Sequence, residues 1–392
     1  MRPSSRGTAR RAFRLLSFAV ILLAASSATH AQTNAAPQTA ELKPKSRVRL
    51  LGQEIPPGTR QRLHWTSGAA IEGFATPTPV IVLNGRGPGP VLCLTAAIHG
   101  DELNGIEVVR RVLDDVDVEE LNGAIIGVPI VNIHGFYRGT RYLPDRRDLN
   151  RHFPGNPRGS AATRIAHSFF TEIVSHCSAL IDLHTGSLNR TNLPQVRANL
   201  NIPSVARMTQ AFGATVVLHS IGDRKSLRRA ATEAGIPAVT FEMGEPMRVQ
   251  PEQVEHGVKA VQTLMYALGM TRQRRYWGDP EPVYYASKWV RVDQGGILFS
   301  DVALGEYVSE GELLGVVIDP ISNNQYRIYS PLSGRVLGMA LNQVVLPGFA
   351  AYRIGTQTSP SGVVKNREQE TSIPEDDYEE EGLEDGLEDE PE

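Results

Sequence analysis

The chain has 392 residues, a hydrophobic content of 41% and a formal net charge of −3. This is a soluble, globular composition, too long for one compact domain and suited to two domains plus tails. Two cysteines, Cys93 and Cys177, exclude a disulfide framework; both lie in apolar stretches and are expected as buried thiols.

Residues 1–31 read as a signal peptide. Arg2, Arg6, Arg10, Arg11 and Arg14 precede an apolar run from Leu15 to Ala25, and Thr29-His30-Ala31 offers a cleavage site. The apolar run is too short for a comfortable membrane span, so no stable anchor is expected after cleavage. The pair Arg10-Arg11 is compatible with a twin-arginine export signal. Cleavage removes five arginines and no acid, taking the formal charge from −3 to −8. A protein this acidic is a poor partner for nucleic acid. A periplasmic or secreted location is expected.

Residues 32–47, rich in Ala, Thr, Pro and Lys, read as a flexible linker. Strand-like segments follow at 46–51, 61–66 and 79–83, and a Gly/Pro turn cluster at 84–90 leads into the apolar run Val91–Thr95. Beyond Ala96-Ala97-Ile98-His99-Gly100-Asp101-Glu102, helical spacing sets in from Asn104. Further strands are expected at 123–131, 179–184, 214–218 and 238–242, and helices at 161–173, 202–212, 225–234 and 251–268. Strands alternating with helices indicate an α/β layered domain over 48–272, with a largely parallel or mixed sheet. Ligands of such sheets bind beyond the carboxyl ends of the strands.

Residues 280–356 change character, to short strands and glycine turns, and form a small all-β domain. It resembles the barrel-sandwich hybrid of biotinyl and lipoyl carrier domains. The turn Pro320–Gln325 holds no lysine to modify, so a structural or access-limiting role is expected. Residues 357–392 form a polar, strongly acidic tail, disordered by composition.

His99 and Glu102 stand three residues apart where a strand gives way to a helix, and imidazole with carboxylate suits zinc. Taken alone, this spacing also fits a loop histidine beside a solvated acid. A water-activating zinc site needs a third protein ligand and an open position. His184, leaving the apolar strand Ala179–Leu183, is the best third ligand, with Asp182 as a hydrogen-bonding partner for a ligand histidine. His134, His152, His167, His176 and His256 lie in loops or helices less suited to the task. A general base is also needed; Glu242 ends an apolar strand, whose burial favours a raised carboxylate pKa, and Glu245 is its competitor. The loop Asp145–Gly155 holds Asn150 and Arg151, which could clamp a substrate carboxylate, with Asp148 fixing the arginine.

His99-Gly100-Asp101-Glu102, Asp148-Leu149-Asn150-Arg151, Asp182-Leu183-His184 and Glu242-Met243-Gly244, in this order, resemble the succinylglutamate desuccinylase/aspartoacylase family, a branch of the zinc carboxypeptidase superfamily. The resemblance covers roughly residues 48–270 and extends to the β domain. It implies a zinc-carboxypeptidase-like mixed-sheet fold and one Zn2+ per chain held by His99, Glu102 and His184. It also implies Glu242 as general base and acid, and Asn150 and Arg151 on a substrate carboxylate. A further family arginine aligns with either Arg141 or Arg146, and Arg138 or Arg141 would steady an oxyanion. The expected activity is zinc-dependent hydrolysis of an amide bond in a small N-acyl amino acid or peptide bearing a free carboxylate. Cell-wall peptides are an alternative substrate, which the export signal favours. A non-catalytic binding protein is the reading from another class.

Overall fold

A computed structural model describes residues 48–67, 76–272 and 281–357. The expected signal peptide, the linker, the boundary segment 273–280 and the acidic tail from 358 lie outside the described residues.

A hairpin of β1 (Val48–Leu50) and β2 (Gln53–Ile55) precedes β3 (Thr59–Trp65), β4 (Thr78–Asn84) and β5 (Gly87–Ala96). Then come α1 (Asn104–Asp115), β6 (Asn122–Val128), α2 (Ile133–Arg138), α3 (Ala161–Glu172), β7 (Ala179–His184) and β8 (Arg190–Ala198). The α/β part closes with α4 (Pro203–Thr209), β9 (Val216–His219), α5 (Leu227–Glu233), β10 (Ala238–Gly244) and α6 (Pro251–Ala267). The C-terminal region is all β. It comprises β11 (Val283–Tyr284), β12 (Ala286–Arg291), β13 (Gly296–Ser300), β14 (Tyr307–Val308) and β15 (Leu313–Ile318), then β16 (Gln325–Tyr329), β17 (Gly334–Ala340), β18 (Val344–Val345) and β19 (Ala350–Thr356).

The expected mixed sheet is present. Strands β6, β5, β7 and β10 run parallel in that order, flanked by antiparallel β4 and β3 on one side and β8 on the other. The four parallel strands read as continuous apolar runs because both their faces are covered. Along β5 the pleat sends Val91 and Cys93 to one face and Leu92 and Leu94 to the other. The first face packs on Phe169 of α3 and Leu227 of α5; the second packs on Val108 and Val112 of α1 and Val254, Val258 and Val261 of α6. Each such fully buried aliphatic side chain contributes roughly 1.5–3 kcal/mol.

Strand β8 joins the two halves of the fold. Its outer edge pairs with β9 through Gln195–Ala198 and with β17 through Arg190–Asn192, and the sheet continues through β19 to β12. A separate four-stranded sheet, β16-β15-β13-β18, packs against this extension around Leu298, Val317, Val336 and Tyr352.

Among the strands and α-helices of the α/β part, β2, α2 and, with most consequence, β8 were not anticipated. Pro194 sits inside β8 and cannot donate to a ladder, so this segment carries a weak strand signal. The expectation of buried thiols is also corrected: Cys93 and Cys177 form a disulfide, with their Cα atoms 5.7 Å apart. Cys93 lies on β5 and Cys177 just precedes β7, its neighbour, so pairing of strands distant in sequence brings the sulfurs together.

Candidate metal centre and active-site cleft

Strand β6 pairs with one side of β5, and the next parallel strand, β7, is laid on the opposite side of β5. The crevice at such a reversal is where α/β sheets bind ligands. His99 follows the end of β5 and His184 ends β7, so both flank this crevice.

The His99–Glu102 turn depends on close backbone approach. Ala97 takes a left-handed conformation (φ 49°) as the chain leaves β5. A Cβ on Gly100 would stand 2.0 Å from the Gly135 carbonyl carbon of α2, so only glycine fits there. At the start of α1, the fully buried Asn104 donates to the Met243 carbonyl and accepts from the Gln250 N–H. This ties the turn to the loop that follows Glu242.

His99, Glu102 and His184 come together as expected, each at most 3% exposed, with one ligand atom apiece within 4.8 Å of the others. Glu102 lies between the rings, with Oε1 2.7 Å from His99 Nδ1 and Oε2 2.8 Å from His184 Nδ1. Each histidine turns its other nitrogen to a carboxylate: His99 Nε2 to Asp148 at 3.1 Å, His184 Nε2 to Asp182 at 2.8 Å. That arrangement of imidazole, outer carboxylate and inward Nδ1 fits a divalent metal such as zinc, because the outer carboxylates fix each ring and raise its basicity.

The electrostatics agree. Burial and Arg141 disfavour a charged His99, yet Glu102 and Asp148 outweigh them and raise its pKa. Burial likewise opposes a charged His184, while Asp182 and Glu102 drive its pKa well up. Burial also penalises the Glu102 and Asp148 carboxylates, but the facing imidazoles, and for Asp148 the Arg141 guanidinium, bring both well below the usual range. These buried carboxylates favour a cation between the rings.

Glu242 lies near the end of β10 beside His184, its register partner on β7, and lines the same cleft. Its carboxylate accepts from Asn192 Nδ2 at 3.1 Å and pairs with Arg197 Nη1 at 3.3 Å. Glu245 does not line this cleft and pairs with Arg248.

Arg141, Asn150 and Arg151 also line the cleft. Of the two arginines left open for one position, Arg141 enters it, whereas Arg146 is exposed on left-handed backbone, and Arg138 is exposed on α2. Arg141 binds Asp148 through Nε and Nη2, and its Nη1 is 3.1 Å from His99 Nδ1. Asp148 was expected to fix Arg151; it pairs with Arg151 at 4.0 Å and lies closer to Arg141 and His99, at 2.8 and 3.1 Å. Arg151 also pairs with Asp223, at 3.2 Å. Asn150 accepts from the Leu227 N–H, anchoring its loop to the start of α5.

The sequence reading missed Asn192 and Arg197 on β8, together with Asp223, Arg228 and Trp289 of the cleft wall. The run Gln195-Val196-Arg197-Ala198 carried a short alternation that could have revealed the end of β8. Nothing local marks the others.

Residues 88–268 match the model of the succinylglutamate desuccinylase/aspartoacylase catalytic domain. The chain is similar to the N-alpha-acetyl-L-2,4-diaminobutyric acid deacetylase of Halomonas elongata, with 28% identity over 253 residues covering 62% of this chain and 74% of that protein. It is similar to the succinylglutamate desuccinylase of Pseudomonas aeruginosa, with 31% identity over 134 residues covering 32% of this chain and 37% of that protein. Among solved structures it resembles a succinylglutamate desuccinylase/aspartoacylase from Rhodobacter sphaeroides (TM-score 0.69, 24% identity, 76% of this chain and 96% of that one). It also resembles the product-bound ectoine utilization protein EutE (DoeB) from Ruegeria pomeroyi (TM-score 0.70, 22% identity, 77% and 97%). At those identities the structures speak to the fold.

Proposed function

Because this chain belongs, through residues 88–268, to the succinylglutamate desuccinylase/aspartoacylase family, we propose that it is a zinc-dependent amidohydrolase that deacylates a small N-acyl amino acid or peptide bearing a free carboxylate. The observation that carries this reading is the meeting of His99, Glu102 and His184 with Glu242 in one cleft lined by arginines.

Zinc bound there would supply Lewis-acid polarisation of the scissile carbonyl and acidify water. His99, Glu102 and His184 would hold it, oriented by Asp148 and Asp182. Glu242 takes the proton of the attacking water and returns it to the leaving amine. The Arg141 guanidinium, beside His99, is placed to stabilise the oxyanion. Arg151 and Asn150, which line the same cleft, anchor the free carboxylate of the substrate.

The same reading places the protein in the periplasm or outside the cell. The basic and then apolar N-terminus supports this, and so does the Cys93–Cys177 bond, since disulfides persist in oxidising compartments. Fractionation with N-terminal sequencing tests it: a mature start at Gln32 is expected, and full-length protein in the cytosol would overturn it.

Purified protein should be assayed on N-acetyl and N-succinyl amino acids beside peptidoglycan peptides, before and after chelation. Zinc-restorable release of an acyl group is expected. Activity that survives complete metal removal would overturn the assignment, and turnover of the wall peptides alone would move the substrate to that class.

A further inference from the structure

We infer that Asn192 and Arg197, both on β8, are positioning residues for Glu242; the inference rests on the reading of Glu242 as the base. Each takes one oxygen of the carboxylate: Arg197 Nη1 lies 3.3 Å from Oε1, and Asn192 Nδ2 lies 3.1 Å from Oε2. All three side chains are buried, Asn192 at 4%, Arg197 at 5% and Glu242 at 7% exposure.

The backbone is built to allow this. Strand β8 runs antiparallel to β10, with Arg197 opposite Thr240 and Gln195 opposite Glu242, so Arg197 shares the Glu242 face. Asn192 is three residues from Gln195, and in a regular strand that odd spacing would turn it to the opposite face. Instead the register slips: Gly244, two residues from Glu242, pairs with Asn192. One extra residue is thus accommodated in β8 around Leu193-Pro194, and a bulge of this kind re-aims a side chain and tolerates proline. On its other side Asn192 pairs with Gly338 of β17, where an added Cβ would meet Asn192 Oδ1 at 2.6 Å. The bulge turns Asn192 towards Glu242, and the bare glycine of the C-terminal region leaves it room. Held at both oxygens, the carboxylate keeps one orientation relative to the attacking water, and misplacement by about 1 Å can cost on the order of 100-fold in rate.

Kinetics and crystal structures of zinc-loaded Asn192→Ala and Arg197→Lys test the inference. Both variants are expected to lower kcat by roughly 10- to 100-fold with KM within about twofold, zinc content unchanged, and the Glu242 carboxylate rotated from its wild-type place. A merely structural role would lower thermal stability and leave kcat per folded molecule intact. Wild-type kcat in both variants, or an unmoved carboxylate in both, overturns the inference. Should wild-type protein turn over no amide substrate, the functional reading falls, and the position of Glu242 in the two crystal structures decides this inference alone.

Discussion

His184 and Glu242 are register partners on the adjacent parallel strands β7 and β10, His184 at the end of its strand and Glu242 two residues before the end of its own. Neighbouring strands stand about 4.8 Å apart, so main-chain hydrogen bonds of one sheet set the spacing between a proposed metal ligand and the proposed base. Glu242→Gln keeps the shape and removes the basicity. It should lower kcat by about 100-fold or more while zinc content by elemental analysis stays at one per chain; substantial turnover would remove Glu242 from the chemistry.

Asp148 and Asp182 each hold the outer nitrogen of a proposed ligand histidine. Asp182→Asn should weaken zinc binding by about 10- to 100-fold, the usual effect of losing such a partner, as read by competition with a chromophoric chelator. Unchanged zinc affinity would show that β7 alone orients His184.

The Cys93–Cys177 bond closes a segment of 84 residues between β5, which leads into His99 and Glu102, and the start of β7, which ends in His184. Chain entropy puts its contribution at roughly 4.5 kcal/mol. Cys93→Ser with Cys177→Ser should therefore lower the melting temperature by several degrees, and reductant should do the same to the wild type alone. Coincident melting curves with and without reductant would contradict this.

His256, on α6, bonds Thr215 and packs edge-on against Phe241. Burial, with Lys259 adding to it, pushes its pKa down to about 4. The folded pKa lies below the unfolded value near 6.5, so the unfolded chain binds the extra proton between those limits. Stability from the neutral ring is complete above about pH 6.5 and is lost as pH falls towards 4, by on the order of 3 kcal/mol at most. His256→Gln should flatten the loss of stability between pH 7 and 4 in urea titrations. An identical slope in both proteins would assign the acid sensitivity elsewhere.

Gly338 belongs to the C-terminal β region yet stands against Asn192 Oδ1. Gly338→Ala should lower kcat through Asn192, in the same direction as Asn192→Ala, with zinc content unchanged. Combining both changes should cost little more than Asn192→Ala alone, and full additivity would refute the shared route.

The sequence by itself determined the alternation of elements, and with it the mixed sheet. It also determined the four ordered motifs that supply His99, Glu102, Asn150, Arg151, His184 and Glu242. These were legible because apolar runs that end in a polar, metal-binding or basic side chain are local signals, and strand ends in an α/β sheet converge by topology. Tertiary structure alone decided the partners. It brought Cys93 to Cys177, set Asp148 closer to Arg141 than to Arg151, put Arg141 and not Arg146 in the cleft, and set Asn192 and Arg197 on Glu242. The Arg141 contacts depend on how the loop after α2 folds back over His99. The disulfide and the two contacts to Glu242 depend on sheet register or on a one-residue bulge, a property of two strands together and written in neither alone.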